Sequence, residues 1–219
     1  MPEKKNYTPI SLDPDCEGWD ELACAIMAQA VKDLRDNMEQ QLDGKVTKKS
    51  CDMICSVESF FRSDLCCSIF QGEPQMLLYT LMGEVHEKHI DQWTKLSKKI
   101  VSLTKELYYE AALNTLVNPG NVGCHAAIIR CEEFIHSKWF SYVSRCDPDQ
   151  FLENIFLGLI DNPGDLQLFA PLVVSKTKQK LVRLSTIHKE NPSLNNLLDK
   201  VQGIQNYMHT EWFKWLETI

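Results

Sequence analysis

The sequence contains few of the residues that make tight turns: nine glycines and nine prolines occur in 219 residues. An all-β fold needs such residues at the ends of many short strands, and no segment shows the apolar–polar alternation of a half-buried strand. No run of 18 apolar residues occurs, so we expect no membrane-spanning helix. The polar start, Met1–Asn6, is not followed by an apolar stretch, so we also expect no secretory signal. These absences favour a soluble, intracellular, all-helical protein.

Sequence motifs that mark common enzyme sites are also missing. There is no Gly-x-Ser-x-Gly turn and no phosphate-binding loop with Gly-Lys-Ser/Thr. The two glycines of 120–123 follow a predicted helix instead of a strand, which argues against a phosphate cradle. We therefore expect no catalytic residues and no cofactor. An unrecognised helical active site is the enzymatic alternative.

The cysteines and histidines show no metal-binding pattern. None of the nine cysteines forms a Cys-x2-Cys pair, so we expect no metal site and interpret Cys66 and Cys131 as core residues. Without a secretory signal, nine cysteines indicate free thiols in a reducing compartment. His86 and His89 lie one helical turn apart, without the metalloprotease spacing, and are expected on a solvated helix face.

The net charge of −7 suits solubility or a basic partner, and it disfavours non-specific binding to nucleic acid. One candidate partner face is acidic and lies near the N-terminus; it comprises Asp13, Asp15, Glu17, Asp20 and Glu21. These residues could mimic phosphate or favour the start of the first helix, whose dipole attracts negative charge. Candidate faces for nucleic acid or an acidic partner comprise Lys95, Lys98, Lys99, Lys176, Lys180 and Arg183.

Three segments of the chain align with one another at offsets of 74 and 73 residues. They begin at Glu58, Glu132 and Gln205, and read ESFFRSDL, EEFIHSKWF and QNYMHTEWF. Turn residues keep the same register, because Pro74 corresponds to Pro148 and Asn118-Pro119 corresponds to Asn191-Pro192. Agreement at several independent positions predicts an internal repeat of about 73 residues.

Each copy has the pattern of a short helical module. Apolar residues at helical spacing precede the shared segment, as in Ile54, Val57 and Phe61, and predict one buried helix face. Ser63, Ser137 or Thr210 then follows, and its hydroxyl can cap a new short helix. We expect the aromatic residues of that helix to pack in the core; they are Trp139, Phe140, Trp212 and Phe213. His136 and His209 are predicted to be polar groups at helix ends.

Long helices are predicted over 19–42, 76–117 and 165–190, and Pro171 is expected to bend or start the third. These elements divide the chain into an acidic segment 1–18 and modules at 19–90, 91–164 and 165–219, the third being shorter. The predicted fold is all-α, with three tandem modules on a continuous core. Whether they form an elongated stack or a compact bundle is left open.

The shared segments resemble an uncharacterised helical module of small proteins from Firmicute phages and prophages. There the pattern runs roughly E-x-F-F-R-S-D-W-F. The first copy keeps Phe60-Phe61-Arg62-Ser63-Asp64 but has Leu65 and Cys66 in place of Trp-Phe. The other two copies keep Trp-Phe and have His136 or His209 in place of Arg. The resemblance implies a phage or mobile-element accessory gene and transfers no catalytic residue.

The function expected from these observations is non-enzymatic protein binding in the cytoplasm of a bacterial host. Its most specific form is a phage-encoded inhibitor of bacterial defence, similar in action to an anti-CRISPR protein. It would occupy the surface of a bacterial protein or protein–RNA complex by charge complementarity. The alternative is a phage accessory protein associated with nucleic acid through the lysine-bearing helices, with no membrane partner in either case.

Overall fold

The computed structural model describes residues 18–70, 72–159, 163–191 and 195–219. Every regular element in these ranges is a helix, which confirms the all-α fold class. The helices are α1 Trp19–Leu42, α2 Lys48–Phe61, α3 Asp64–Ile69, α4 Pro74–Lys88, α5 Trp93–Val117, α6 Val122–Ile135, α7 Lys138–Ser144, α8 Pro148–Leu159, α9 Pro163–Glu190, α10 Asn195–Met208 and α11 Glu211–Leu216. None of these helices combines the length and apolarity needed to cross a bilayer.

Three short helices begin at the hydroxyl residues that the sequence indicates. Ser63 Oγ accepts a hydrogen bond from Cys66 N at 3.2 Å, and Ser137 Oγ accepts one from Phe140 N at 3.1 Å. Thr210 Oγ1 accepts the corresponding bond from Phe213 N at 3.2 Å. Each hydroxyl satisfies an N–H group that the first turn of a helix leaves without a partner, so the predicted caps are confirmed.

One predicted long helix is wrong, and so is one of the two alternatives for Pro171, that it starts the third long helix. The expected helix 76–117 is two helices, because α4 ends at Lys88 and a 3₁₀ turn over Ile90–Gln92 precedes α5. Across this turn, the Trp93 and His86 rings lie 4.2 Å apart between centroids. Pro171 lies inside α9 and does not start it; Pro163 occupies its first position, where a missing N–H costs nothing.

The long helices pair with the helices that follow them. α1 packs against α2, α5 against α6, and α9 against α10. The middle pair contacts both others, through α1 with α5 and α2 with α6 on one side and through α5 with α9 and α6 with α10 on the other. The described part of the chain therefore forms a row of three helix pairs, and one apolar cluster runs from Leu34 to Leu216.

Two buried glutamates join neighbouring pairs. Glu58 of α2 accepts hydrogen bonds from the backbone N–H groups of Lys138 and Trp139, both at 2.9 Å. Glu132 of α6 accepts the corresponding bonds from Glu211 N at 2.8 Å and Trp212 N at 2.9 Å. Glu58 therefore lies at the N-terminus of α7, and Glu132 lies at the N-terminus of α11, where the helix dipole favours negative charge. We call these residues the capping glutamates.

The tryptophans beside the capping glutamates are anchored by their ring nitrogens. Trp139 donates its Nε1–H to Gln41 Oε1 at 2.9 Å, and Trp212 donates its own to Thr115 Oγ1 at 3.0 Å. Both indoles are fully buried, as predicted for core aromatics. Each acceptor lies near the C-terminal end of a long helix of the preceding pair, so ring burial and hydrogen bonding position the same short helix.

Replacing Trp139 with alanine tests the contribution of this anchor. Truncation of a fully buried aromatic ring leaves a cavity and an unsatisfied Gln41 amide, so we expect a loss of about 3–5 kcal/mol in the free energy of unfolding. The corresponding residue of the first copy, Leu65, is 50% exposed, and Leu65→Ala should cost within about 0.5 kcal/mol. Urea denaturation measures both, and equal losses would contradict the assignment of Trp139 to the core.

Glu132→Gln tests the capping contact, with the adjacent, exposed Glu133→Gln as its control. The amide loses the charge and places an NH₂ group where one backbone donor now binds. Because hydrogen bonds to a charged group contribute more than neutral ones, we expect the free energy of unfolding to fall by about 1.5–3 kcal/mol. Glu133→Gln should change it by less than about 0.5 kcal/mol. Matching losses in urea melts of the two variants would show that the carboxylate does not cap α11.

Candidate functional site

A cavity of about 310 Å³ lies between α2, α5 and α6. Its wall is mainly apolar and includes Leu107, Ala111 and Phe134. Asp52 and Arg130 belong to this wall and to that of a neighbouring polar cleft, and Arg130 Nε lies 3.5 Å from Asp52 Oδ1. The Asp52–Arg130 ion pair therefore lies between the cavity and the polar cleft and joins α2 to α6.

The polar cleft measures about 680 Å³ and contains the ionisable residues Glu58, Arg62, Glu133 and His136. Burial alone would lower the pKa of His136, but its bonds to the Glu132 carbonyl at 2.8 Å and Asp149 at 3.2 Å raise it overall. Both imidazole nitrogens are thus engaged, and His136 caps the end of α6 as predicted.

Three thiols lie along the same α2–α6 boundary: Cys51, Cys55 and Cys131. Burial raises the pKa of Cys55 to about 12 and that of Cys131 to about 12, and it also raises the pKa of Cys51. Nucleophilic attack and metal binding require the thiolate, which these environments disfavour. Within the described ranges, no three His, Cys, Asp or Glu side chains are grouped closely enough to hold a metal ion.

Buried histidines take part in aromatic packing. His86 is half-buried, with Nδ1 3.2 Å from the Tyr142 hydroxyl, so the prediction of a solvated face is wrong for this residue. The turn after α4 brings Trp93 and Tyr142 onto the ring, which periodicity alone could not show. His125, which the sequence did not single out, stacks on Tyr207 at 3.9 Å, and burial lowers its pKa to about 4. Its imidazole is therefore neutral at pH 7.

The lysines and the arginine predicted to meet a partner have different surroundings. Lys95 and Lys98 are exposed beside a shallow depression that includes Asp91, and Lys99 lies over Gly44. Lys180 donates a hydrogen bond to the Gly120 carbonyl and so serves the turn after α5. The two remaining basic candidates on α9 are exposed: Lys176 and Arg183. The described contacts do not join the α5 and α9 groups into one surface.

Most of the predicted acidic face cannot be placed. Asp13, Asp15 and Glu17 lie outside the described residues, and Asp20 belongs to α1 without a described side chain. Glu21 is exposed in the first turn of α1, where the helix dipole favours a carboxylate. The N-cap, Gly18, supplies no side-chain hydrogen bond to this helix end.

Sequence reasoning missed an open groove on the outer side of α1 and α2, with a volume of about 460 Å³. Its lining is mainly apolar, with Gln29, Asp33 and Ser56 as polar members; the other lining residues are Ala25, Ile26, Ala30, Val57 and Phe60. The repeat alignment held a signal for it, because Ser56, Val57 and Phe60 correspond to Arg130, Cys131 and Phe134, which α2 covers in the next pair. We call this surface the α1–α2 groove.

Thiol alkylation tests the chemistry of the cavity. At pH 8, a thiol with a pKa of about 12 carries roughly a thousandfold less thiolate than an ordinary thiol. Iodoacetamide should therefore modify exposed Cys146 far faster than Cys131 or Cys55, as followed by peptide mass spectrometry of the native protein. Preferential modification of Cys131 would indicate an activated thiol and would support the enzymatic alternative.

Comparison of the chain with protein-family models, with curated proteins and with solved structures finds no match.

Proposed function

We propose that the chain is a tandem array of three diverged helical modules that binds another protein and has no catalytic activity. Three recurring features support the repeat. The second helices α2, α6 and α10 have 14 residues each and begin 74 and 73 residues apart. The hydroxyl caps recur at Ser63, Ser137 and Thr210, and the capping glutamates recur at Glu58 and Glu132.

Binding of a protein is supported above all by the α1–α2 groove. In the proposed array, each helix pair has one side that receives the preceding pair and one side that packs on the following pair. The α5–α6 pair receives α2 and α1, and the α9–α10 pair receives α6 and α5. The groove is the receiving side of the first pair, and it remains open in the described structure. Open apolar surfaces of this kind mark sites of protein association.

The proposed absence of catalysis is supported by the chemistry of the cavity between α2, α5 and α6 and of the polar cleft. The cavity holds protonated thiols and an Asp52–Arg130 pair, and the cleft holds a histidine whose nitrogens are both bonded. The thiols and the ion pair lie where α2 packs against α6, and His136 bonds to the end of its own helix and to Asp149, so packing is a sufficient reason for their presence. Nothing in this arrangement directs a nucleophile and a base toward a common point, as catalysis requires.

The most specific form of the proposal is a phage-encoded inhibitor of bacterial defence that acts by occupying a surface of a protein or protein–RNA complex. It rests on the resemblance to phage modules and on the net charge of −7, which suits a basic target. Association with nucleic acid is the second candidate, because Lys95, Lys98 and Lys176 are exposed and form no ion pair within the described residues.

Affinity capture distinguishes the two candidates. Tagged protein is incubated with lysate of a Firmicute host, with and without nuclease, and bound material is analysed by mass spectrometry. We expect a near-stoichiometric protein partner that survives nuclease treatment. Recovery of nucleic acid, with loss of all proteins after digestion, would replace protein binding with the second candidate. Lys95→Glu and Lys98→Glu should then weaken capture, and the binding should be strongly salt-dependent.

A further inference from the structure

The α1–α2 groove has the form of a site for a helix. Two helices make its walls, and its residues recur along α1 at helical spacing, from Ala25 and Ile26 to Gln29, Ala30 and Asp33. The opposite wall comes from Ser56, Val57 and Phe60 of α2. Ala25, Gln29 and Ser56 are exposed, and Ile26, Ala30 and Phe60 are half-buried. A further helix that packs between α1 and α2 could therefore cover the apolar side chains of this groove.

The next pair in the row shows what such a groove receives. On α5 and α6, the residues equivalent to Ala30, Asp33, Ser56, Val57 and Phe60 are Thr104, Leu107, Arg130, Cys131 and Phe134. They line the cavity that α2 closes with Lys48, Cys51 and Asp52. The occupant there is an amphipathic helix that directs small side chains inward at a spacing of three and four residues. α6 likewise packs against α10 in the following pair.

Charged residues at the rim of the α1–α2 groove indicate which kind of helix would bind there. Lys48 enters the α5–α6 cavity at its first turn and shares the wall with Glu110. The residue equivalent to Glu110 on α1 is Asp36, which is exposed and lies one turn beyond Asp33 on the same helix face. Two carboxylates therefore border one end of the α1–α2 groove, and a basic residue at the N-terminal end of an incoming helix complements them.

We propose that the α1–α2 groove binds an amphipathic helix of a partner protein. This helix carries a lysine or arginine at its N-terminal end, followed by apolar residues three and seven positions later. The inference rests on the proposed protein-binding function and names the surface and the chemistry of the partner. The partner helix would pack on α1 and α2 as α2 packs on α5 and α6.

A second copy of the chain fits this groove less well. The helix that would continue the row is α10, whose positions equivalent to Lys48 and Asp52 are Asn195 and Asp199. Position 195 has no positive charge to meet Asp36. Asp199 has no basic residue to pair with, because Ser56 stands where the second pair has Arg130. Gln205 also replaces the capping glutamate, so the charged contact that joins neighbouring pairs is missing from this end.

The test uses the full chain and a synthetic helix as the probe. The fluorescein-labelled, alanine-based peptide has about 16 residues, because shorter isolated helices are marginal in water. It carries lysine near its N-terminus and leucines three and seven residues later, and fluorescence anisotropy measures its binding. A second peptide with glutamate in place of the lysine should bind about threefold more weakly, the size expected of a surface ion pair. Asp36→Lys should reverse this preference.

Two groove variants and two matched controls identify the binding surface. Ala30→Glu and Ser56→Glu place a charge in the groove and should weaken binding about tenfold or more, since a carboxylate there would be desolvated. Ser56 is exposed, so its variant should fold even if Ala30→Glu does not. Ala28→Glu and Ser68→Glu change exposed residues outside the groove and should leave binding unchanged.

Several outcomes overturn the inference. Absence of peptide binding, or equal binding by groove and control variants, removes the groove as a helix site. Self-association of the wild-type chain that Ser56→Glu abolishes would assign the groove to a second copy. Partner capture from lysate that persists in Ser56→Glu would leave protein binding intact and place it elsewhere. Loss of all protein capture would instead remove the proposed function, even if the peptide binds.

Discussion

The structure depends on a buried carboxylate that one helix pair supplies to the next. Glu58 and Glu132 are almost fully buried, and each accepts two backbone N–H groups from a short helix about 80 residues later in the chain. Desolvating a carboxylate is costly unless donors replace the lost water. Burial raises the pKa of Glu132, while the N–H groups of Trp212 and Glu211 and the Tyr108 hydroxyl favour its charged form. The contact therefore forms only when helix end, indole and carboxylate are placed together, which fixes the register between pairs.

The groove, the cavity and the polar cleft all follow from this row of pairs. The cavity lies between α2, α5 and α6, and the cleft lies between α2 and α6. Their cysteines and ion pair line this contact, whereas His136 bonds to the end of α6 and to Asp149. The groove is the corresponding surface of the first pair, where the described structure supplies no preceding helix. Within the row, each inner surface packs against the neighbouring helix pair. The exposed lysines of α5 and α9 belong to other surfaces and carry the nucleic-acid alternative.

The three aligned segments differ at positions 65 and 205. Position 65 is leucine and half exposed, whereas the equivalent Trp139 and Trp212 are buried and hydrogen-bonded. At the other end, position 205 is glutamine and exposed, where Glu58 and Glu132 cap a following helix. Within the described structure, Leu65 and Gln205 therefore do not make the buried aromatic or charged contact that their aligned residues make.

The sequence by itself determined the helices and their caps, because apolar spacing and hydroxyl positions act over a few residues. It correctly indicated α1, the buried aromatics and the caps at Ser63, Ser137 and Thr210. Only the tertiary structure decided the break before Trp93, where His86 and Tyr142 pack around the indole, and the role of Glu58 and Glu132, whose donors lie far along the chain. The α1–α2 groove also could be found only in the tertiary structure. Its residues are recognised as open because α2 covers the aligned residues of the next pair. Local periodicity specifies which face of a helix is apolar, but long-range packing decides what, if anything, covers that face.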